Sequence, residues 1–389
     1  MGINYTLNKE CPICLSSDNL DFIDLKKYPI TEIFLNSPDL STNKKYFINQ
    51  KYIFCNKCVH AYIYKILDPK VIYNNYWTTT SDSAGASICL QNFCSFIKKT
   101  TNINNYDNII DIGGNDSSSF ESFKDYKINR INIDPNASSK NDKNIKLINQ
   151  FIEEIDYNLF KQHKNLFLSS HTLEHLAKPT EFLSQITSNL KKNDILYLQF
   201  PSIEKQINLF RYDQITHQHI NLFSLKSIQE LLNRYKIIVE DYEYDDSLYG
   251  TLRIKCRKIF NSSNKIAFKQ KKFNFIKNYK LFTNFFTQLN DILNNSNEEF
   301  IGFGAGLMVP TLGYNLPFIK SLKFICDDNL KKINKYYPGF KSKIIRSKYI
   351  NAKSSVLITS VSTKLSNRKI LNKLENIGVA NICNPIIFN

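Results

Sequence analysis

Four cysteines in two matched pairs offer the first chemistry. Cys11-Pro-Ile-Cys14 and Cys55-Asn-Lys-Cys58 each bring two thiols to one short loop. Four thiolates complete the tetrahedral shell of a structural Zn²⁺ and leave no open position for catalysis. The gap between the pairs exceeds the usual zinc-ribbon spacing, and a β-rich insert over residues 21–50 is expected to fold back and close it. The alternative is four unrelated core thiols, because a free cysteine often behaves as a small buried hydrophobe.

A second constellation is Asp111-Ile-Gly-Gly-Asn-Asp116, placed where a short apolar strand should turn into a helix. Glycine lets the backbone approach a ligand, and a helix N-terminus favours polar or anionic groups. Asp134 closes the next strand and can accept hydrogen bonds from both hydroxyls of a ribose. Gly113, Asn115, Asp116, Asp134 and Asp111 are therefore cofactor candidates, with Tyr76 and the 78–81 loop beside them. The pattern suits a dinucleotide or S-adenosylmethionine, and a tight turn in any α/β protein would look similar. Further on, Gly302-Phe-Gly-Ala-Gly306 lacks a complete GxGxxG, since Leu307 and Val309 stand where the third glycine would be.

The elements that must position these residues follow from periodicity. Residues 108–112, 131–133, 165–169 and 195–200 read as buried strands separated by helical stretches, which implies a parallel sheet with helices on both faces. Helical spacing runs over 87–99 and again over about 265–295. Strands at 300–301, 322–326 and 356–360 then announce a second α/β region. A chain of 389 residues suggests two or three domains, and 42% apolar residues suffice for their cores. The net charge of +16 would suit an anionic ligand, but the lysines are scattered among Asn and Ile without a basic block or aromatic interleaving. Neither a nucleic-acid partner nor a membrane partner is expected. Nine cysteines, five of them dispersed, do not form a disulfide framework, and no signal-like or spanning run is present, so a cytoplasmic location is expected.

Across most of its length the chain resembles the three-domain sugar C-methyltransferases, which act with S-adenosylmethionine on nucleotide-linked 4-keto-deoxysugars. The resemblance rests on the two cysteine pairs and on Asp111 to Ser117 against a Glu-Ile-Gly-Ser-Asn-Asp-Gly motif. It rests further on Leu173-Glu-His175 against Leu-x-His, and on Tyr212-Asp-Gln-Ile-Thr-His-Gln-His219 against Phe-Asp-x-Ile-Tyr-x-Glu-His. Gly302-Phe-Gly-Ala305 against a Gly-Tyr-Gly-Ala loop, then Asp327-Asp-Asn329 and Tyr337-Pro-Gly339, completes it. The resemblance implies an α/β protein of three parts. These are a zinc-binding module over 1–72, a doubly wound, Rossmann-like S-adenosylmethionine domain over 73–260, and a second Rossmann-like domain over 261–389 that binds a dTDP-, GDP- or CDP-linked sugar.

It also implies roles. His219 would be the base that forms an enolate beside the sugar ketone, His175 its partner, and His217 a further candidate. Gly302, Gly304, Ala305, Thr216 and Gln218 would meet the substrate. The block departs from the family where Thr216 replaces a tyrosine and Gln218 a glutamate. A threonine cannot ionise as a phenol does, and glutamine cannot take a proton. The glycine loop also has Met308 near a lysine position, and Ser117 stands where glycine is usual. The serious departures fall on the substrate side, so O- or N-methylation of a related metabolite, or a non-catalytic binding protein, are the competing expectations.

Overall fold

The computed structural model describes residues 3–18, 20–40, 45–68, 79–139, 142–248, 250–260, 274–359 and 364–386. Among them no helix is long and apolar enough to cross a membrane. The N-terminal segment contributes β1 (Tyr5–Leu7), β2 (Leu20–Pro29), β3 (Phe47–Cys55), β4 (His60–Ile63) and β5 (Lys65–Leu67). β2, β3 and β4 form an antiparallel meander, and β1 pairs with β5. The β2–β3 hairpin is the expected insert. It sets Leu20 opposite Cys55 and so returns the second cysteine pair to the first.

The central unit begins with α1 (Ala84–Thr100), whose N-terminus is capped by the Ser83 side chain accepting from the Ala86 N–H at 3.3 Å. Cys89, Phe93, Phe96 and Ile97 recur at helical spacing and supply its buried face. Then come β6 (Asn108–Ile112), β7 (Asn129–Ile133), β8 (Ile145–Ile148), β9 (Asn165–Ser170), α2 (Pro179–Asn189), β10 (Ile195–Pro201) and α3 (Ile203–Asn208). They are followed by β11 (Asn221–Leu222), α4 (Leu225–Arg234), β12 (Ile237–Asp245) and β13 (Thr251–Lys258). Seven strands lie in the order β12-β13-β10-β9-β6-β7-β8, parallel except for the reversed β13. β6 and β10 are buried throughout and β9 up to Ser169, as strands covered on both faces must be, and so each reads as a mainly apolar run. The chain leaves β6 towards β7 on one side and returns to β9 on the other. That reversal opens a crevice at the carboxyl ends of β6 and β9.

One expectation is corrected here. The glycine turn after β6 leads into a 3₁₀ helix over Ser118–Phe123 and not into an α-helix. Ser117, where glycine is usual, sits at φ +63°, the left-handed region that glycine enters without cost. Its hydroxyl offsets part of that strain by donating to the Ser138 carbonyl at 2.6 Å and accepting from Asn132 Nδ2 at 2.8 Å.

The C-terminal unit comprises α5 (Phe275–Asn294), β14 (Phe300–Phe303), α6 (Val309–Asn315), β15 (Phe324–Cys326), β16 (Lys343–Ile345), β17 (Ser355–Ile358), α7 (Lys364–Ile377) and β18 (Asn381–Cys383). The start of the expected helix at about 265 lies outside the described residues; the described helix begins at Phe275. The five strands are parallel, in the order β16-β15-β14-β17-β18, and the order in which the chain adds them switches sides between β14 and β17.

The N-terminal sheet joins the other two units. Along β3, Ile53 belongs to the core shared with β6 and β10, while Tyr52 and Phe54 belong to the core shared with α5 and α6. Alternation with period two thus sends successive residues into different cores. Phe54 stacks on Phe275 with ring centres 4.8 Å apart. The sheet also extends past residue 72: β11 pairs antiparallel with β4, giving the order β11-β4-β3-β2.

Candidate active site

The crevices of the two parallel sheets open on one cleft of about 1480 Å³. Gly113, Asn115 and Asp134 line it from the central sheet, and Gly304, Asp327 and Lys332 from the C-terminal sheet. His171, His175 and His219 line it between them. The exposed pair Lys331–Asp82, at 3.9 Å, links the two sides at the rim.

On the central side Gly113 turns at φ +79°, and a Cβ there would fall 2.2 Å from Thr172 Oγ1. The glycine therefore serves both the turn and the close approach of the β6 and β9 ends. A Cβ on Gly114 would meet Asn132 Oδ1 at 2.4 Å. Asp134 accepts from the Asn115 N–H at 3.2 Å and the Asn136 N–H at 2.7 Å, which aims its carboxylate along the cleft wall. A carboxylate offers about four lone-pair sites, so capacity remains for a ligand hydroxyl. Asp111 lies beneath the turn; burial pushes its carboxyl up to about 7, against an opposing bond from Ser119. Asp116 is absent from the cleft wall. It accepts from the Ser81 N–H at 2.9 Å and from Ser118 Oγ at 2.6 Å, so it fastens the 79–82 turn to the glycine loop. Burial alone would raise its carboxyl, but those bonds outweigh it and hold it low. Thr79 and Thr80 do line the cleft, while Tyr76 and Thr78 lie outside the described residues.

The histidine corner is built on two turns. His171 follows β9 at φ +53°, and Leu173–His175 form a 3₁₀ turn. His171 Nδ1 lies 2.9 Å from Glu174 Oε1, and its Nε2 lies 3.5 Å from Cys89 Sγ. Burial disfavours the imidazolium, but Cys89 and Glu174 outweigh burial and lift His171 to about 10. His175 Nδ1 donates to the Gln218 carbonyl at 2.9 Å, which fixes its tautomer, and its ring centre is 5.2 Å from that of His219. Burial, and then the neighbouring His175, push His219 down to about 3. Thr216 accepts from the Gln218 and His219 N–H groups at 3.2 and 3.1 Å; it shapes the turn and does not face the cleft. His217 is buried, with Nδ1 3.2 Å from Gln50 Nε2, and burial pushes it down to about 4. Gln218 lines the cleft and accepts from Thr31 Oγ1 at 3.1 Å.

On the far wall Gly304 turns at φ +101°, and the Ala305 N–H donates to Asp327 Oδ2 at 2.8 Å. Lys332 Nζ donates to the Ala305 carbonyl at 2.8 Å and lies 3.7 Å from Asp327. Gly302 is buried inside β14, and neither it nor Ala305 is on the cleft wall.

Sequence reasoning passed over His171, Glu174, Glu32 and the buried Arg211–Asp213 pair. In that pair Nε and Nη2 donate to the two carboxylate oxygens at 2.9 and 3.0 Å. His171 and Glu174 carried one usable signal, an i, i+3 acid–base spacing directly after a strand. Glu32 comes from the bend after β2, and burial raises its carboxyl to about 7 against an opposing contact from Gln218.

Away from the cleft, Cys11, Cys14, Cys55 and Cys58 converge, with all four sulfurs within 4.8 Å of one another. Cys11–Cys58 and Cys14–Cys55 are 3.4 and 3.5 Å apart, close to the ~3.8 Å edge of a tetrahedron with metal–sulfur bonds of ~2.3 Å. Leu15 and Val59, each directly after a second cysteine, turn at φ +56° and +59°, so the two loops share one geometry.

Residues 90–236 match the model of the methyltransferase-domain family. The C-methyltransferase NovU of Streptomyces niveus is 20% identical over 249 residues, covering 62% of this chain. The chain spans about 59% of that relative's length. Among solved structures, 1,6-didemethyltoxoflavin-N1-methyltransferase of Burkholderia thailandensis is similar over 49% of this chain and 84% of its own, at 12% identity and a TM-score of 0.36. Magnesium protoporphyrin IX methyltransferase of Synechocystis is similar over 50% of this chain and 98% of its own, at 10% identity and a TM-score of 0.36. The family match runs from within α1 past α4 and encloses the glycine turn, Asp134 and the histidine corner, so it is the central α/β unit that is similar to a methyltransferase domain.

Proposed function

We propose that the protein transfers a methyl group from S-adenosylmethionine to a carbon of a nucleotide-linked deoxy- or keto-sugar. The observation that carries this reading is the shared cleft, with a cofactor-type crevice on one wall, a second nucleotide-type crevice on the other, and histidines between them. The residues fit the cofactor. Gly113 and Asn115 present backbone, and Asp134 presents a carboxylate suited to ribose hydroxyls. When bound, S-adenosylmethionine supplies an electrophilic methyl group. Gly304, the Asp327–Lys332 pair and Gln218 would hold the sugar nucleotide. His219, neutral at physiological pH, takes the proton from the acceptor, and His175 stands as its partner. The dTDP-, GDP- and CDP-linked sugars are the substrate class we infer.

The four cysteines fit Zn²⁺ in number, ligand type and spacing. We infer that the metal cross-links the N-terminal loops and takes no part in the reaction. A second reading, O- or N-methylation, is favoured by Glu32. A carboxyl raised to about 7 beside Gln218 could serve a hydroxyl or amine acceptor as a base.

One preparation tests the assignment. Calorimetry should detect S-adenosylmethionine binding, and metal analysis should return one zinc per chain. With keto-sugar nucleotides in deuterated water, exchange should appear at the carbon beside the ketone and vanish in His219→Asn. Absence of cofactor binding overturns the methyltransferase reading, and exchange that survives His219→Asn removes that residue as base.

A further inference from the structure

Glu174 is fully buried, yet it borders the cleft. A buried carboxylate is costly unless charge and hydrogen bonds compensate it. Its neighbours are three imidazoles. Oε1 lies 2.9 Å from His171 Nδ1 and 4.0 Å from His175 Nε2. His219 joins the group, with one nitrogen within 4.8 Å of both the Glu174 and His175 atoms. Oε2 has no hydrogen-bond partner among the described residues. An ordinary structural ion pair needs one cation, whereas this carboxylate has three potential ones and a spare acceptor oxygen.

The imidazoles differ in what else faces them. His171 meets Cys89, which in turn feels Ser247 and Arg253. His175 is held by the Gln218 carbonyl through Nδ1, so its other nitrogen faces the carboxylate side. His219 faces His175, Glu174, His171 and the Gln214 backbone; of these charged groups Glu174 alone favours its protonated form. A base placed there gains its proton against burial, and the compensating charge must be this carboxylate.

Given the methyltransferase reading, on which this inference rests, the balance of the reaction demands an exit. The acceptor loses a proton, and its freed electron pair bonds the methyl carbon. The carbon–sulfur bond breaks towards sulfur, leaving a neutral thioether. One proton per turnover must therefore reach solvent. The His175 side chain is 30% exposed and that of Glu174 only 1%, so the open end of the corner is His175.

We propose that Glu174 is a counter-ion shared by His171, His175 and His219, a positioning residue that stabilises the proton arriving on His219 and lets it leave through His175. The rest-state charge sits on His171, and the carboxylate turns to the catalytic pair as the proton moves.

Histidine ring-nitrogen NMR on the full chain, with Glu174→Gln beside the wild type, tests this. In the wild type one imidazole, assigned by its loss in His171→Gln, should stay cationic to about pH 10. In Glu174→Gln it should titrate at least two pH units lower. In turnover, Glu174→Gln should lose about 10²-fold in kcat with cofactor Kd unchanged, and the acid limb of its kcat profile should move to lower pH. His175→Gln should lose kcat and regain part of it in added imidazole, a rescue that a folding defect would not show. If Glu174→Gln fails to fold, Glu174→Asp should preserve the high-titrating imidazole. Should every wild-type histidine lose its proton by pH 7, or should the variant profiles overlay the wild type, the shared counter-ion is overturned. Absent cofactor binding in the wild type sinks the methyltransferase reading alone, because the NMR result stands without it.

Discussion

The central and C-terminal sheets solve one geometric problem twice and then diverge in chemistry. In each, a strand ends in a positive-φ glycine, Gly113 at +79° and Gly304 at +101°. In each, the next strand ends in an aspartate that accepts the N–H two or one residues beyond that glycine, Asp134 from Asn115 and Asp327 from Ala305. The difference lies in what neutralises the acid. Among the described residues Asp134 forms no ion pair, whereas Lys332 stands 3.7 Å from Asp327. An unpaired carboxylate suits hydroxyl donors, and a lysine beside a backbone turn suits an anion such as a diphosphate. All six histidines also precede residue 220, so the C-terminal sheet supplies no imidazole. Topology alone makes a crevice; the charge placed at its mouth decides what the crevice can hold.

The largest effect that would break this comparison is expected from Gly113→Ala. The left-handed φ costs about 1–2 kcal/mol, and moving Thr172 away from the new Cβ costs about 1–3 more. Cofactor affinity should fall about 10²-fold or beyond, read by calorimetry, with a drop in Tm. Gly302→Ala should cost only about 1 kcal/mol and leave cofactor affinity intact. Its Cβ meets Ile325, Leu322 and Thr359 side chains at 3.0 to 3.2 Å, and its own φ is unstrained.

Acid should separate the two sheets next. His217 and His219 titrate at about 4 and about 3 when folded, below the ordinary 6.5, because burial disfavours their cations. The unfolded chain binds more protons between those values, so stability falls as pH drops below 6.5, by up to about 1.4 kcal/mol per unit for each group. His171, lifted to about 10, acts with the opposite sign; its contribution is full below 6.5 and is lost as pH rises through 10. Hydrogen exchange should show protection lost first around β9 and the 211–219 segment, with β14 and β17 holding. Early loss at β14 would contradict the division. The smallest effect is the most discriminating. Asp134→Asn should weaken cofactor binding about tenfold, or about 1.4 kcal/mol, whereas Asp327→Asn should leave cofactor binding unchanged and raise the acceptor KM instead. Equal effects on the cofactor would erase the distinction.

Much of this architecture was legible in residue order. β6, β9 and β10 announce themselves because burial on both faces gives each an apolar stretch, Ile109–Ile110, Leu166–Leu168 and Ile195–Leu198, ahead of Asp111, Ser169 and Gln199. β12 did not, because beyond Val239 it runs exposed through Glu240, Asp241, Tyr242 and Glu243 and pairs on one edge only. β11 spans two residues and has no period to detect. The site divided similarly. Gly113, Asp134, His175 and His219 could be named from motif and strand position, and all four line the cleft. Asp116 and Thr216 were misplaced because their short side chains satisfy neighbouring N–H groups, the common habit of such residues in turns. Glu174 was hidden by its own burial, since sequence treats a glutamate in a polar turn as solvated.

The strand β11 has a consequence for how the protein comes into being. A chain emerging from the ribosome completes the N-terminal hairpin early, but β4 stays an open edge until residue 222 has been made, some 160 residues after it began. Open edges invite the wrong partner, and contacts this distant in sequence are slow to form. The cysteine loops are therefore an early anchor that waits for a late clasp. The waiting ends with the same short segment that sets His219 in place, so the protein cannot finish its first sheet without also assembling its histidine corner.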